Sequence, residues 1–170
     1  EDFIERQASD NIVPFTETSY CDNVSEAGEQ VRAQLKKRVE TIRIGLKSEE
    51  EPSSEILKQV FNEALKHTGN ATEGDYLKWQ YGGWKANVSY YGQGKTYYLT
   101  LTYNVSYYTN QIQEREVDSV VSELLDQLDL KGKNDYEKVE TIYDFICSNV
   151  AYDFDHLNDT SYMQKFTAYA

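Results

Sequence analysis

Residues 84–108 alternate for longer than any other stretch of this chain. Trp84, Ala86, Val88 and Tyr90 take every second position before Gly92-Gln93-Gly94, and Tyr97, Leu99, Leu101, Tyr103, Val105 and Tyr107 do so after it. A two-residue period sends one set of side chains to each side of a strand. Aromatic and β-branched residues fill both runs and glycines mark the reversal, so the pattern predicts a long antiparallel hairpin. The other face of its second strand carries Tyr98, Thr100, Thr102, Asn104, Ser106 and Tyr108. Leu77, Trp79 and Tyr81 alternate ahead of Gly82-Gly83 and predict a further strand segment. That glycine pair reads as a bend or bulge rather than a phosphate cradle, because no helix follows and no P-loop lysine accompanies it.

Helical periods surround the hairpin. Residues 25–38 predict a short helix with Ser25 as its cap, Val31 and Leu35 on its buried side and Lys36, Lys37 and Arg38 in its last turn. Ile42, Ile44 and Leu46 alternate with polar residues over 39–47 and predict a strand with one buried face. Glu49, Glu50, Glu51 and Pro52 end it. Ile56, Leu57, Val60, Phe61, Ala64 and Leu65 form the stripe of a helix over 53–68, with Gly69 as its stop. Val117, Val120, Val121, Leu124, Leu125 and Leu128 mark a helix over 111–130. Val139, Ile142, Tyr143, Ile146 and Val150 mark another, opened by a capping box of Asn134 and Glu137. These elements predict an α+β fold: a mainly antiparallel, Tyr-rich sheet of three to four strands with helices on one face. The expected organisation is an extended lead-in over 1–24, an α+β accessory domain over 25–132 and the start of a further domain over 133–170.

A length of 170 residues suffices for one ordinary domain, or a smaller domain plus part of another. The net charge of −12 argues against nucleic acid and anionic membrane surfaces, which such a chain repels. No apolar run approaches the ~20 residues of a membrane span. The start at Glu1 rather than Met reads as a processed or trimmed end from which any targeting segment has been removed. Two cysteines make no disulfide framework and leave the redox compartment open.

The residues that bear chemistry are few. Trp79, Trp84, Tyr90, Tyr91, Tyr98, Tyr107 and Tyr108 form a candidate aromatic platform for sugar or peptide; the alternative is that they fill a sheet face, rings under helices and hydroxyls at the rim. Cys147 sits near a helix C-terminus, where the dipole opposes a thiolate, and Cys21 reads as a surface or half-buried thiol. His67 suits the last turn of its helix and has no second ligand near it in sequence. Asp153, Asp155, Asn158 and Asp159 with His156 resemble a cation loop, but Leu157 stands where a ligand belongs and Gln164 where the bidentate Glu belongs. No catalytic residue, metal site or cofactor motif is expected within these residues.

The run over 135–170 carries a resemblance. Its helix ends in Tyr152-Asp153, an Asn- and Asp-containing loop follows, and Thr167-Ala168-Tyr169 opens an apolar segment expected to continue as another element. This order resembles the opening of the bacterial transglutaminase-like domain, a papain-like fold. The resemblance implies a nucleophilic Cys on a following helix, then His and Asp, all beyond Ala170, so none of the three falls on a residue here. It implies a secreted or cell-surface protein whose parent acts on peptide amides through an acyl-enzyme, by proteolysis or transamidation, with this segment as an inactive accessory part. Its partner would be the remainder of its own chain. The alternative is a non-enzymatic adhesion module that binds peptide or cell-wall glycan on the Tyr-rich sheet. Five Asn-x-Ser/Thr sequons, at Asn23, Asn70, Asn87, Asn104 and Asn158, read as products of composition in a bacterial protein.

Overall fold

The computed structural model describes residues 19–151 and 153–169 together with the backbone of residues 3–6. Most of the expected lead-in, including Ile12, Val13, Pro14 and Phe15, lies outside the described residues, as do Tyr152 and Ala170. The chain divides into two compact units, Glu1–Tyr108 and Thr109–Ala170. The expected boundary near residue 132 falls inside the second of these, in the turn between its two long helices.

The first unit runs β1 (Phe3–Arg6), α1 (Val24–Lys36), β2 (Thr41–Ser48), α2 (Glu55–Ala64), α3 (Asp75–Lys78), β3 (Tyr81–Gln93) and β4 (Thr96–Tyr107). It is α+β, as the alternation and the helical stripes predict. β2, β4 and β3 form an antiparallel sheet with helices on one side, and β1 adds to the β3 edge in parallel, Phe3 opposite Lys85 and Glu5 opposite Asn87. The hairpin turns on Gly94 and Lys95. Gly94 holds φ at 66° in the first loop position, a backbone that suits a residue without Cβ. Gly82 makes the expected bulge, the register slipping between Tyr81 and Gly83.

The buried face of the sheet is the predicted one. Ile42, Ile44, Leu46, Trp84, Ala86, Val88, Leu99, Leu101, Tyr103 and Val105 pack against Val31 and Leu35 of α1 and Leu57, Val60 and Phe61 of α2. Each fully buried large apolar side chain contributes about 1.5–3 kcal/mol, which is what a hairpin alone cannot supply. Tyr103 is wholly buried and its hydroxyl donates to the Leu57 carbonyl at 3.0 Å, so the polar tip leaves no unmet group in the core.

Three local expectations change. Asn23, not Ser25, caps α1: the Glu26 N–H donates to Asn23 Oδ1 at 2.9 Å, while Ser25 Oγ donates to Glu63. α2 closes at Ala64 rather than near residue 68, because the buried Arg32 guanidinium takes the carbonyls of Ala64 at 2.8 Å and Glu63 at 2.7 Å. A cation held at a helix C-terminus satisfies exposed carbonyls and offsets the dipole at once. Residues 75–78 form a one-turn helix instead of a strand. The turn from Gly74 (φ 58°) gives Lys78 and Trp79 local carbonyl partners, and sheet pairing begins only at Tyr81 opposite Tyr107.

The second unit holds α4 (Gln111–Gln127), α5 (Asp135–Asn149) and a 3-10 turn over Met163–Phe166. Asn134 and Glu137 form the predicted capping box, with Glu137 N–H to Asn134 Oδ1 at 3.0 Å and Asn134 N–H to Glu137 Oε2 at 2.8 Å. Asn110 and Gln113 form a second box at the start of α4. None of the described residues in α4, α5 or the 3-10 turn is buried. No described helix is long and apolar enough to cross a membrane.

Candidate functional site

The seven aromatic residues of the proposed platform do not share one surface. Trp84 lies in the core, stacked on Phe61 with centroids 4.7 Å apart. Tyr107 is on the same side of the sheet; its hydroxyl donates to the Val39 carbonyl at 2.9 Å, the Arg38 guanidinium lies 5.5 Å from its ring centre, and burial pushes its phenol well above the ordinary range. Tyr90 packs edge-on against Tyr97, also on the helix side. Trp79 projects from the end of α3, 71% exposed. Tyr108 rests against Gly82, where a Cβ would come within 2.9 Å of Cε1. Only Tyr91 and Tyr98 meet. Their rings stack at 5.1 Å and 10° on the helix-free face, and Tyr20 meets Tyr98 edge-on at 5.1 Å. Tyr20 seats there because Gly45 has no side chain; a Cβ on Gly45 would lie 2.9 Å from Tyr20 Cδ1.

Pairing register aligns four rows across that face, on β3, β4 and β2 in turn. They are Lys85, Asn104 and Thr41; Asn87, Thr102 and Arg43; Ser89, Thr100 and Gly45; and Tyr91, Tyr98 and Lys47. The arrangement is a field of hydroxyls, amides and cations with aromatic rings at one end. Sequence alternation marks the β4 members, but Tyr20, Arg43, Lys85 and Asn87 join them only through pairing. β1 extends two of these rows, with Phe3 opposite Lys85 and Glu5 opposite Asn87.

The second unit presents a different surface. Val120, Val121, Leu124, Ile146, Val150 and Phe166 line a groove of about 940 Å³. Val139 is 68% exposed on α5 and Tyr143 lies on the same stripe. The groove offers apolar walls and little hydrogen bonding, so it suits another packed element better than a reacting substrate.

Reactive side chains stay apart. Cys21 is not the surface or half-buried thiol expected but is buried, bridged by backbone into β2, its N–H to the Gly45 carbonyl at 2.9 Å; burial raises its thiol pKa, which disfavours the thiolate. Cys147 is exposed in the last turn of α5. His156 bonds Asp153 at 2.9 Å, and its ring lies 4.4 Å from that of Tyr162, tilted by 37°. In the same loop the Lys165 ammonium donates to the carbonyls of His156, Leu157 and Asp159, the last at 2.6 Å. A lysine thus fills the carbonyl cradle of the loop that resembles a cation site. Among the described residues no three His, Cys, Asp or Glu side chains converge on a metal position. Comparison with protein-family models, with curated proteins and with solved structures finds no match to this chain.

Proposed function

We propose that the first unit is the accessory α+β domain of a secreted or surface transglutaminase-like protein, and that the second unit is scaffold on which the rest of that papain-like fold packs. The parent would attack peptide amides through a Cys thiolate and an acyl-enzyme, by hydrolysis or transfer to an amine. The observation that carries this reading is the open apolar stripe on α4 and α5. Val120, Val121, Leu125, Val139, Tyr143, Ile146 and Val150 are all exposed at helical spacing. A helix with an apolar stripe draws its stability from burying it, and within the second unit no described element covers it. A contiguous exposed patch of this kind marks a surface that another element occupies.

The test is whether the gene continues past Ala170, and with what polypeptide. Expressed with this chain, it is expected to carry a Cys alkylated by iodoacetamide, to quench dye binding at the apolar groove, and to protect the amides of α5 from exchange. A continuation without such a Cys, or one that leaves α5 unprotected, sinks the proposal. A second reading, a non-enzymatic adhesion module, draws on the stacked Tyr91 and Tyr98 at the helix-free face.

A further inference from the structure

Carboxylates border the apolar groove of the second unit. The groove is walled by Val120, Val121 and Leu124 of α4 and by Ile146 and Val150 at the end of α5. Together α4 and α5 carry nine Asp and Glu against Arg115 and Lys138 alone. Lys138 is already paired with Asp135 at 3.4 Å, and Arg115 Nε donates to the Gln111 carbonyl at 3.3 Å. Helical spacing sets the carboxylates beside the apolar stripe. Glu116 and Glu123 lie four and three residues from Val120, Asp118 lies three from Val121, and Glu140 lies three from Tyr143. All four are exposed, and none has a salt-bridge partner among the described residues.

We infer, on the reading of the second unit as scaffold, that the element seated in this groove is a cationic amphipathic helix from the remainder of the parent protein. Its apolar side would meet Val120, Val121, Ile146 and Val150, and its Lys and Arg side chains would meet Glu116, Glu123 and Glu140. Charge removes the other occupants. Residues 109–170 contain thirteen Asp and Glu against five Lys and Arg, so a second copy would press one acidic border against another. An anionic membrane surface is repelled for the same reason. The backbone argues for a helix. An extended segment would lay unpaired N–H and C=O groups on apolar walls, whereas a helix closes those bonds within itself. Two helices that flank a groove also receive a third by ordinary ridge-and-groove packing, at about 8–10 Å between axes. Lys and Arg stems lie along an apolar border while their charged ends reach carboxylates at its rim. Exposed ion pairs add little affinity each, so the acidic border selects and orients the helix while the apolar walls hold it.

The test uses the 170-residue chain and three fluorescein-labelled helical peptides of about five turns. One has a leucine side and a lysine side, one has glutamate in place of lysine, and one has the leucine–lysine composition in scrambled order. The leucine–lysine peptide is expected to bind at least about tenfold more tightly than either of the others, and more weakly as salt is raised. Val120→Asp, which puts a charge on the apolar wall, and the double substitution Glu116→Lys with Glu123→Lys, which reverses the border, are each expected to weaken binding about tenfold. Melting is expected to stay unchanged in both, because these side chains are exposed. With the gene's continuation expressed on the chain, the peptide is expected to be shut out. No binding, equal binding of the glutamate or the scrambled peptide, indifference to either variant, or binding undiminished by the continuation overturns the inference. Equal binding of the glutamate peptide removes the charge of the occupant and leaves the scaffold reading in place. A continuation without a reactive Cys removes the transglutaminase-like parent and leaves the peptide results as they stand.

Discussion

The indole of Trp84 lies over the Phe61 ring, centroids 4.7 Å apart and planes 28° from parallel. Tyr103 closes the cluster from β4, 5.5 Å from Phe61 and 5.8 Å from Trp84. This contact is one of those that join α2 to the sheet, beside Leu57 and Val60. Trp84→Ala is expected to cost about 3–5 kcal/mol, because truncation leaves a cavity that α2 cannot collapse into. Trp84→Phe keeps a ring there and is expected to cost less. Chemical denaturation followed by far-ultraviolet circular dichroism measures both; equal losses would show that the stack matters little.

Gly28 and Glu63 set how closely α1 and α2 approach. A Cβ on Gly28 would stand 2.5 Å from Glu63 Cγ and 3.1 Å from its backbone carbon, so a side chain there forces the helices apart. Gly28→Ala is expected to destabilise the first unit by about 1–3 kcal/mol, despite the higher helix propensity of alanine. Gly83→Ala meets nothing within 4 Å and serves as the control, expected near neutral. Thermal melts that rank the two the other way would contradict the close approach.

Alkaline pH is expected to unfold the first unit. Burial raises the phenol pKa of Tyr103 and, with a smaller opposing effect from Arg38, that of Tyr107. Below the ordinary tyrosine range both states hold the proton and stability is independent of it. Above about pH 10 the unfolded chain releases protons that the folded chain keeps, so stability falls as pH rises toward the folded values. Absorbance of ionised tyrosine is expected to show two of the fifteen tyrosines silent until the fold is lost. Smooth titration of all fifteen with the circular dichroism intact would rule this out.

On the acid side the sign reverses. A hydrogen bond from Lys66 holds Glu63, and one from Lys36 holds Glu73, below the ordinary glutamate range. Their contribution is present above that range and is lost as pH falls through the lower folded values. Both pairs meet solvent, so the loss is small and shrinks in salt. Lys36→Met is expected to flatten the acid limb of the stability curve; an unchanged limb would show that the Glu73 pair is inert.

Lys165 ties the loop over 156–161 to the 3-10 turn by three carbonyls. Lys165→Met is expected to speed amide exchange across 156–162 at least tenfold and to leave the first unit's melt unchanged. Val139→Glu tests the α5 stripe in the same assay. It is expected to be harmless in the 170-residue chain, where Val139 is exposed, and to cost about 1–3 kcal/mol once a partner element covers it.

Much of this was written locally. Hairpin, bulge, both flanking helices and the Asn134 box follow from patterns a few residues long, because period and capping chemistry act between near neighbours. The misplacements share a cause. α2 ends early through Arg32, which lies 32 residues away from Ala64 in the chain, and the strand expected over 77–81 yields to a turn because its pairing partner, Tyr107, reaches only Tyr81. The candidate platform was legible as composition, not as a surface: parity along β3 separates Trp84 and Tyr90 from Tyr91, but only the pairing of β3 with β4 brings Tyr91 against Tyr98.

The sequence by itself determined most of the strands and helices and which face of each is apolar. Tertiary structure alone decided which tyrosines meet, which residues share a row, and which apolar faces of the second unit its own elements leave uncovered. Those depend on strand order and on contacts between residues dozens of positions apart. Adjacency across a sheet is created by pairing, and no periodicity along one strand contains it.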